Sequence, residues 1–93
     1  MRQQLEQERI DGEKARQLLD NSVFKDSWKA AEDSIVAQMQ EVKMRDTDMH
    51  TRLILALQVL SSVRRHIETT MQTGQMADLQ LKEPNKFARV FGR

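Results

Sequence analysis

An all-α fold built on a long antiparallel helical hairpin is what this sequence predicts, and three observations lead there. Good helix formers (Gln, Glu, Lys, Arg, Leu, Ala and Met) dominate the chain, while it has no Tyr, one Trp and three Phe, so strand formers are sparse. Apolar residues recur at intervals of three and four through two consecutive long stretches, the period of an amphipathic helix. Only a few polar residues separate those stretches, and a short connection makes consecutive helices antiparallel neighbours.

Residues 2–20 are charged and rich in Gln, with Leu5, Ile10, Ala15, Leu18 and Leu19 as a ragged apolar stripe. Gly12 interrupts that stripe at a cost of about 1 kcal/mol relative to Ala. Asp11 is placed to cap a shorter helix, which predicts a short amino-terminal helix ordered in its second half. Asn21 and Ser22 then offer two N-cap side chains ahead of Phe24, Trp28, Ala31, Ile35, Met39 and Val42. This pattern predicts a helix over about 22–44 with Lys25, Lys29, Glu32, Asp33, Gln40, Glu41 and Lys43 on its wet face.

Arg45-Asp46-Thr47-Asp48 opens the next helix. Asp46 or Thr47 can accept from free backbone N–H groups there, and acidic side chains suit the positive end of the helix dipole. Met49, Leu53, Leu57, Leu60, Val63 or Arg64, Ile67 and Met71 carry this helix over about 47–73, with Gly74 in the role of a left-handed C′ residue. Met76, Leu79 and Leu81 then predict a further carboxy-terminal helical turn before Pro84. The expected organisation is one helical domain over 1–84 followed by a basic aromatic tail over 85–93.

Composition narrows the function classes. A chain of 93 residues has room for a single thin core or a core shared between copies. Apolar residues make up 39% and charged residues 31% of it, a balance suited to helices with one wet face. There is no cysteine, so disulfides, thiolate metal sites and thiol nucleophiles are absent. The amino terminus lacks the apolar run of a secretory signal, and no stretch approaches the roughly 18 to 20 apolar residues of a membrane span. Net charge is +1; the formal charge is −1 over 1–20, zero over 21–45 and 46–72, and +2 over 73–93. Binding to a polyanion would therefore have to come from a local patch.

Candidate chemistry is thin. His50 and His66 stand 16 residues apart on one helix, about 24 Å, so they cannot share a metal within one chain. Asp46 with His50 is a two-ligand pair, short of the three or four that zinc needs. The serines Ser22, Ser27, Ser34, Ser61 and Ser62 have no His and acid arranged around them, and Gly12, Gly74 and Gly92 form no phosphate loop. The expectation is a binding protein rather than an enzyme, with no cofactor and no metal.

Two surfaces stand out instead. Leu53 to Leu57 and then Val59 and Leu60 are apolar around most of the helix circumference. Leu53, Ile54, Leu57 and Leu60 are thus expected to meet either the first helix or a second copy of the chain. In the tail, Lys86, Arg89 and Arg93 alternate with Phe87, Val90 and Phe91, and half of the aromatic residues lie there. Phe87, Arg89, Val90 and Phe91 form a candidate partner-binding element, with folding back of the two Phe onto the hairpin as the alternative. Arg64, Arg65, Lys86 and Arg93 are the candidate nucleic-acid contacts; Glu68 beside the arginines limits counterion release.

Leu18-Leu19, Phe24 and Trp28, the Arg45-Asp46-Thr47 turn with Arg52 and Leu57, and Ile67-Glu68 with Thr73-Gly74-Gln75-Met76-Ala77 resemble a group of short helical proteins of tailed bacteriophages. The likeness covers about residues 15–80 and leaves out the basic tail. It implies a protein made in the cytoplasm of a bacterial host and connected with virion assembly or DNA packaging, and it implies no catalytic residue. The leading expectation is accordingly a homo-oligomeric, non-enzymatic assembly protein that docks on a phage or host protein. A packaging factor similar in role to a small terminase subunit, and an inhibitor of a host protein, are the alternatives.

Overall fold

The computed structural model describes residues 1–83. They form three helices and no strand: α1 over Arg2–Asp20, α2 over Ser22–Glu41 and α3 over Thr47–Lys82. The all-α class expected from composition and periodicity is the observed one. Lys86 and Arg93, the element Phe87, Arg89, Val90 and Phe91, and Pro84 lie outside the described residues.

The starts of α2 and α3 each have a side chain that accounts for them. Asn21 stands between α1 and α2 with extended backbone angles (φ −70°, ψ 125°), and its side-chain oxygen accepts from the Phe24 N–H at 2.9 Å. That one residue breaks the helical run and caps the next helix. At the other end of α2, Val42 is extended (φ −75°, ψ 135°) and its N–H donates to the Gln38 carbonyl, so the helix stops three residues before the expected Met44. Asp46 opens α3: its carboxylate accepts from the Met49 N–H at 3.1 Å, and its own N–H donates to the Lys43 carbonyl.

The two internal glycines behave differently from the sequence expectation. Gly12 neither breaks nor shortens α1, which runs unbroken through 19 residues. Gly74 is not a left-handed cap: no described glycine has a positive φ, and α3 continues past it for 36 residues in all, about 54 Å. The separate carboxy-terminal turn is therefore the end of α3, and α2 and α3 do not match in length. The physical reason is packing. An ideal Cβ built on Gly12 would lie 2.6 Å from the Gly74 Cα, and one on Gly74 would meet the Gly12 Cα at the same distance. The two helices touch backbone to backbone at this point, which only glycine allows.

The described chain separates into two compact units. One joins Met1–Leu19 to the chain from Ile67 onward. Its seam is drawn from α1 by Leu5, Glu8, Gly12, Ala15 and Leu19 and from α3 by Ile67, Thr70, Gly74, Ala77 and Leu81, all buried or half-buried. Both sets follow the same three-four-three-four spacing, which keeps one line of a helix facing its neighbour. Small residues sit at the middle of each line, and Ala77 is only 1% exposed.

The second unit is Asp20–His66, comprising α2 and the first half of α3. The five residues from Val42 to Asp46 turn the chain back, so these segments run antiparallel. Phe24, Trp28, Ala31, Ile35, Met39 and Val42 are half-buried on α2, opposite His50, Leu53, Leu57 and Leu60 on α3. Phe24 and Trp28 stack at a tilt, ring centroids 5.4 Å apart. The Trp28 indole N–H is buried with no acceptor. No residue of α2 is fully buried, and Leu53, at 7% exposure, is the one buried apolar residue of this unit among those described.

Candidate interaction surface

The unit Asp20–His66 leaves an unusual amount of apolar side chain in solvent. Leu53 faces the α2 seam and has no surface left for a second copy, a correction to its place among the interface candidates. Leu57 and Leu60 are half-buried along the same line. Ile54 is exposed, and so are Leu55, Val59 and Val63, with Val59 61% accessible. Leu55 and Val59 belong to the apolar circumference that the sequence predicts, whereas Val63, an option there for the core line, is exposed. Their four-residue spacing was the available signal. α1 belongs to the unit built with the second half of α3.

Polar groups supply little that resembles a reaction centre. No charged or polar residue is buried among the described residues, and no group of three or more His, Asp or Glu is placed to hold a metal ion there. His50 serves the connection: its Nε2 lies 3.2 Å from the Lys43 carbonyl, which defines a donor contact when that nitrogen carries the proton. Arg64, Arg65 and His66 are exposed at the end of this unit. Arg65 borders an open depression with Ile54, Leu57, Ser61 and Ser62.

Ion pairs follow the helix surfaces. Glu13 and Arg16 pair at 2.6 Å, Glu6 and Arg9 at 2.9 Å, Lys29 and Asp33 at 2.9 Å, and Asp78 and Lys82 at 3.0 Å. The hydrogen bond from Arg16 holds the Glu13 carboxyl below its ordinary range, and the bond to Asp33 raises the Lys29 ammonium. Such pairs at helical spacing are screened by solvent and add little to stability. In the other unit, Arg9, Arg16, Gln75 and Asp78 border a shallow polar groove of about 190 Å³ beside the glycine crossing. Its arginines are engaged by Glu6 and Glu13 on their own helix.

No described helix is long and apolar enough to cross a membrane. No protein-family model, no curated protein and no solved structure matches this chain.

Proposed function

We propose that this chain is a non-enzymatic interaction protein, an assembly component that acts by presenting an outward apolar helix face to another protein. The observation that carries the reading is the exposure of Leu55, Val59 and Val63 on a unit whose interior holds a single buried apolar residue, Leu53, among those described. Large apolar side chains in solvent are uncommon as a contiguous stripe on a protein that works alone. The likeness to short helical proteins of tailed phages supports placing the role in virion assembly or DNA packaging. The Phe-containing basic tail supports a second contact, with a phage or host protein.

The test is a photo-cross-linking amino acid at Val59 in cells producing the full chain, with the same probe at Lys25 as a control on the charged face. A discrete protein adduct from Val59, absent from Lys25, is expected. Absence of any protein adduct from Val59 sinks the reading.

A further inference from the structure

The unit Asp20–His66 has two flanks, and they differ in kind. At 100° per residue, Ala56, Val59 and Val63 of α3 lie to one side of the Leu53 seam, with Leu55 beyond them, whereas Ile54, Ser61 and Arg65 lie to the other. On α2, Ser27, Ala31, Ser34 and Gln38 fall to the first side of the Trp28–Ile35 seam, and Lys25, Lys29, Glu32, Asp33 and Val36 fall to the second. In an antiparallel pair, rotation from the seam in the same angular sense reaches the same side of both helices. The first flank is therefore largely apolar and small-residued across both helices; the second carries charges of both signs, Lys25, Lys29 and Arg65 against Glu32 and Asp33, with Lys29 and Asp33 paired at 2.9 Å. Along the α3 side of the first flank Arg52 and, at the far end, His66 are the interruptions, with Glu41 and Asp48 at the end by the connection.

We propose that the apolar flank is covered by a second copy of the same flank, so that two hairpin units form a four-helix arrangement related by a two-fold axis. The inference rests on the reading of the chain as an assembly protein and names the partner. Two features favour self as the occupant. An isologous contact sets a surface against itself, so any net charge on it is doubled. A flank whose only formal charge away from the connection is Arg52 tolerates that doubling. The size also fits: 20 residues of α2 make the face about 30 Å long, and two helices some 10 Å apart make it about 20 Å wide. That projected area of roughly 600 Å² corresponds to the ~800 Å² of accessible surface per partner in a stable dimer. Leu55, Val59 and Val63 supply its apolar centre and the Ser and Ala residues of α2 allow close approach.

The experiment is the solution mass of the full chain by light scattering on a sizing column, for the native sequence, for Val59→Glu and for Ile54→Glu. Twice the 10.9 kDa chain mass is expected for the native protein and for Ile54→Glu. Val59→Glu sets two unpaired carboxylates in the contact and raises the dissociation constant at least about 100-fold, giving the single-chain mass. Circular dichroism on the same samples checks that helicity is kept. As a measurement free of folding effects, the Val59 cross-linker in the purified chain links two copies. A single-chain mass for the native protein at tens of micromolar overturns the proposal, as does an unchanged dimer in Val59→Glu or a self-adduct from Lys25 in place of Val59. A Val59 adduct exclusively with another protein overturns it too, while leaving the assembly reading intact.

Discussion

Replacing Gly12 by Ala sets two well-measured effects against each other, and the sign of the result decides whether α1 and α3 meet at their glycines. In a solvated helix interior, Gly→Ala is stabilising by about 1 kcal/mol. Here the added Cβ would lie 2.6 Å from the Gly74 Cα and 3.2 Å from both the Gly74 nitrogen and the Thr70 carbonyl oxygen. Carbon atoms pack at about 3.5 to 4.0 Å, so the backbones must separate by roughly an ångström. No flexible side chain is there to yield. That separation also loosens Ala15 and Ala77, which are nearly fully buried one turn away. Overpacking of this kind costs about 1 to 3 kcal/mol. The net expectation is a loss of about 1 kcal/mol, or roughly 4 to 8 °C in melting temperature for a chain of this size. Thermal melts of the native chain, Gly12→Ala and Gly74→Ala by circular dichroism, at one fixed protein concentration, measure it. A melting temperature raised by either substitution, as helix propensity alone demands, refutes the close crossing.

Loss of a helix cap is the second test: Asp46→Ala removes the acceptor for the Met49 N–H and should cost about 1 kcal/mol in chemical denaturation. Asp46→Asn should recover most of it, and equal costs for both would mean the side chain is not the cap. For the titration of Glu13, the folded carboxyl is held low by Arg16. Its contribution to stability is therefore present above the unfolded-state value and fades as pH falls through the folded-state value. Arg16→Ala should move the Glu13 carboxyl resonance midpoint up towards the ordinary carboxylate range in a carbon-detected NMR titration; an unmoved midpoint discards the pairing. Ending the chain after Glu83 should keep the helical circular dichroism signal, because α1, α2 and α3 all end by Lys82, and should remove binding to any partner that reads the basic aromatic tail.

Helix identity was legible because it is a local property. The Phe24–Val42 and Leu53–Leu60 periodicities, the Asn21 cap and the Asp46 cap all follow from interactions within a few residues of each position. What escaped was the meaning of Gly12 and Gly74. Read locally, an isolated glycine in a helical pattern is a break or a stop. Its role here depends on a residue 62 positions away, since each glycine is permitted by the other. The pairing left a trace in the sequence, the matching spacing of Leu5, Gly12 and Leu19 with Ile67, Gly74 and Leu81, which appears only when the two segments are laid side by side. The same long-range step decides which part of α3 packs with α1 in one unit. Leu53 shows the complement: apolar character marked it for burial, but periodicity could not tell the seam within the chain from a surface facing outward.

Small residues at one seam and exposed large ones on the other unit have a joint thermodynamic consequence. Backbone ordering costs about 1 to 2 kcal/mol per residue, and apolar burial returns only about 25 cal/mol per Å². Three apolar residues, Ala15, Leu53 and Ala77, are buried among the described residues, and two of them are alanines with little area to contribute. On the proposed pairing such a chain draws its remaining apolar burial from a second copy, so its stability should depend on concentration. If two copies fold and associate in one step, each tenfold rise in concentration adds about 1.4 kcal/mol to the dimer. Spread over an unfolding entropy of ~2.1 cal/mol/K per residue for two 93-residue chains, that raises the melting temperature by about 3 to 4 °C per decade. Melts at 2, 20 and 200 µM, as orders of magnitude chosen to span the dissociation range, should therefore rise by several degrees across the series. A flat melting temperature would mean that each chain carries its own stability and that the exposed stripe contributes nothing to folding.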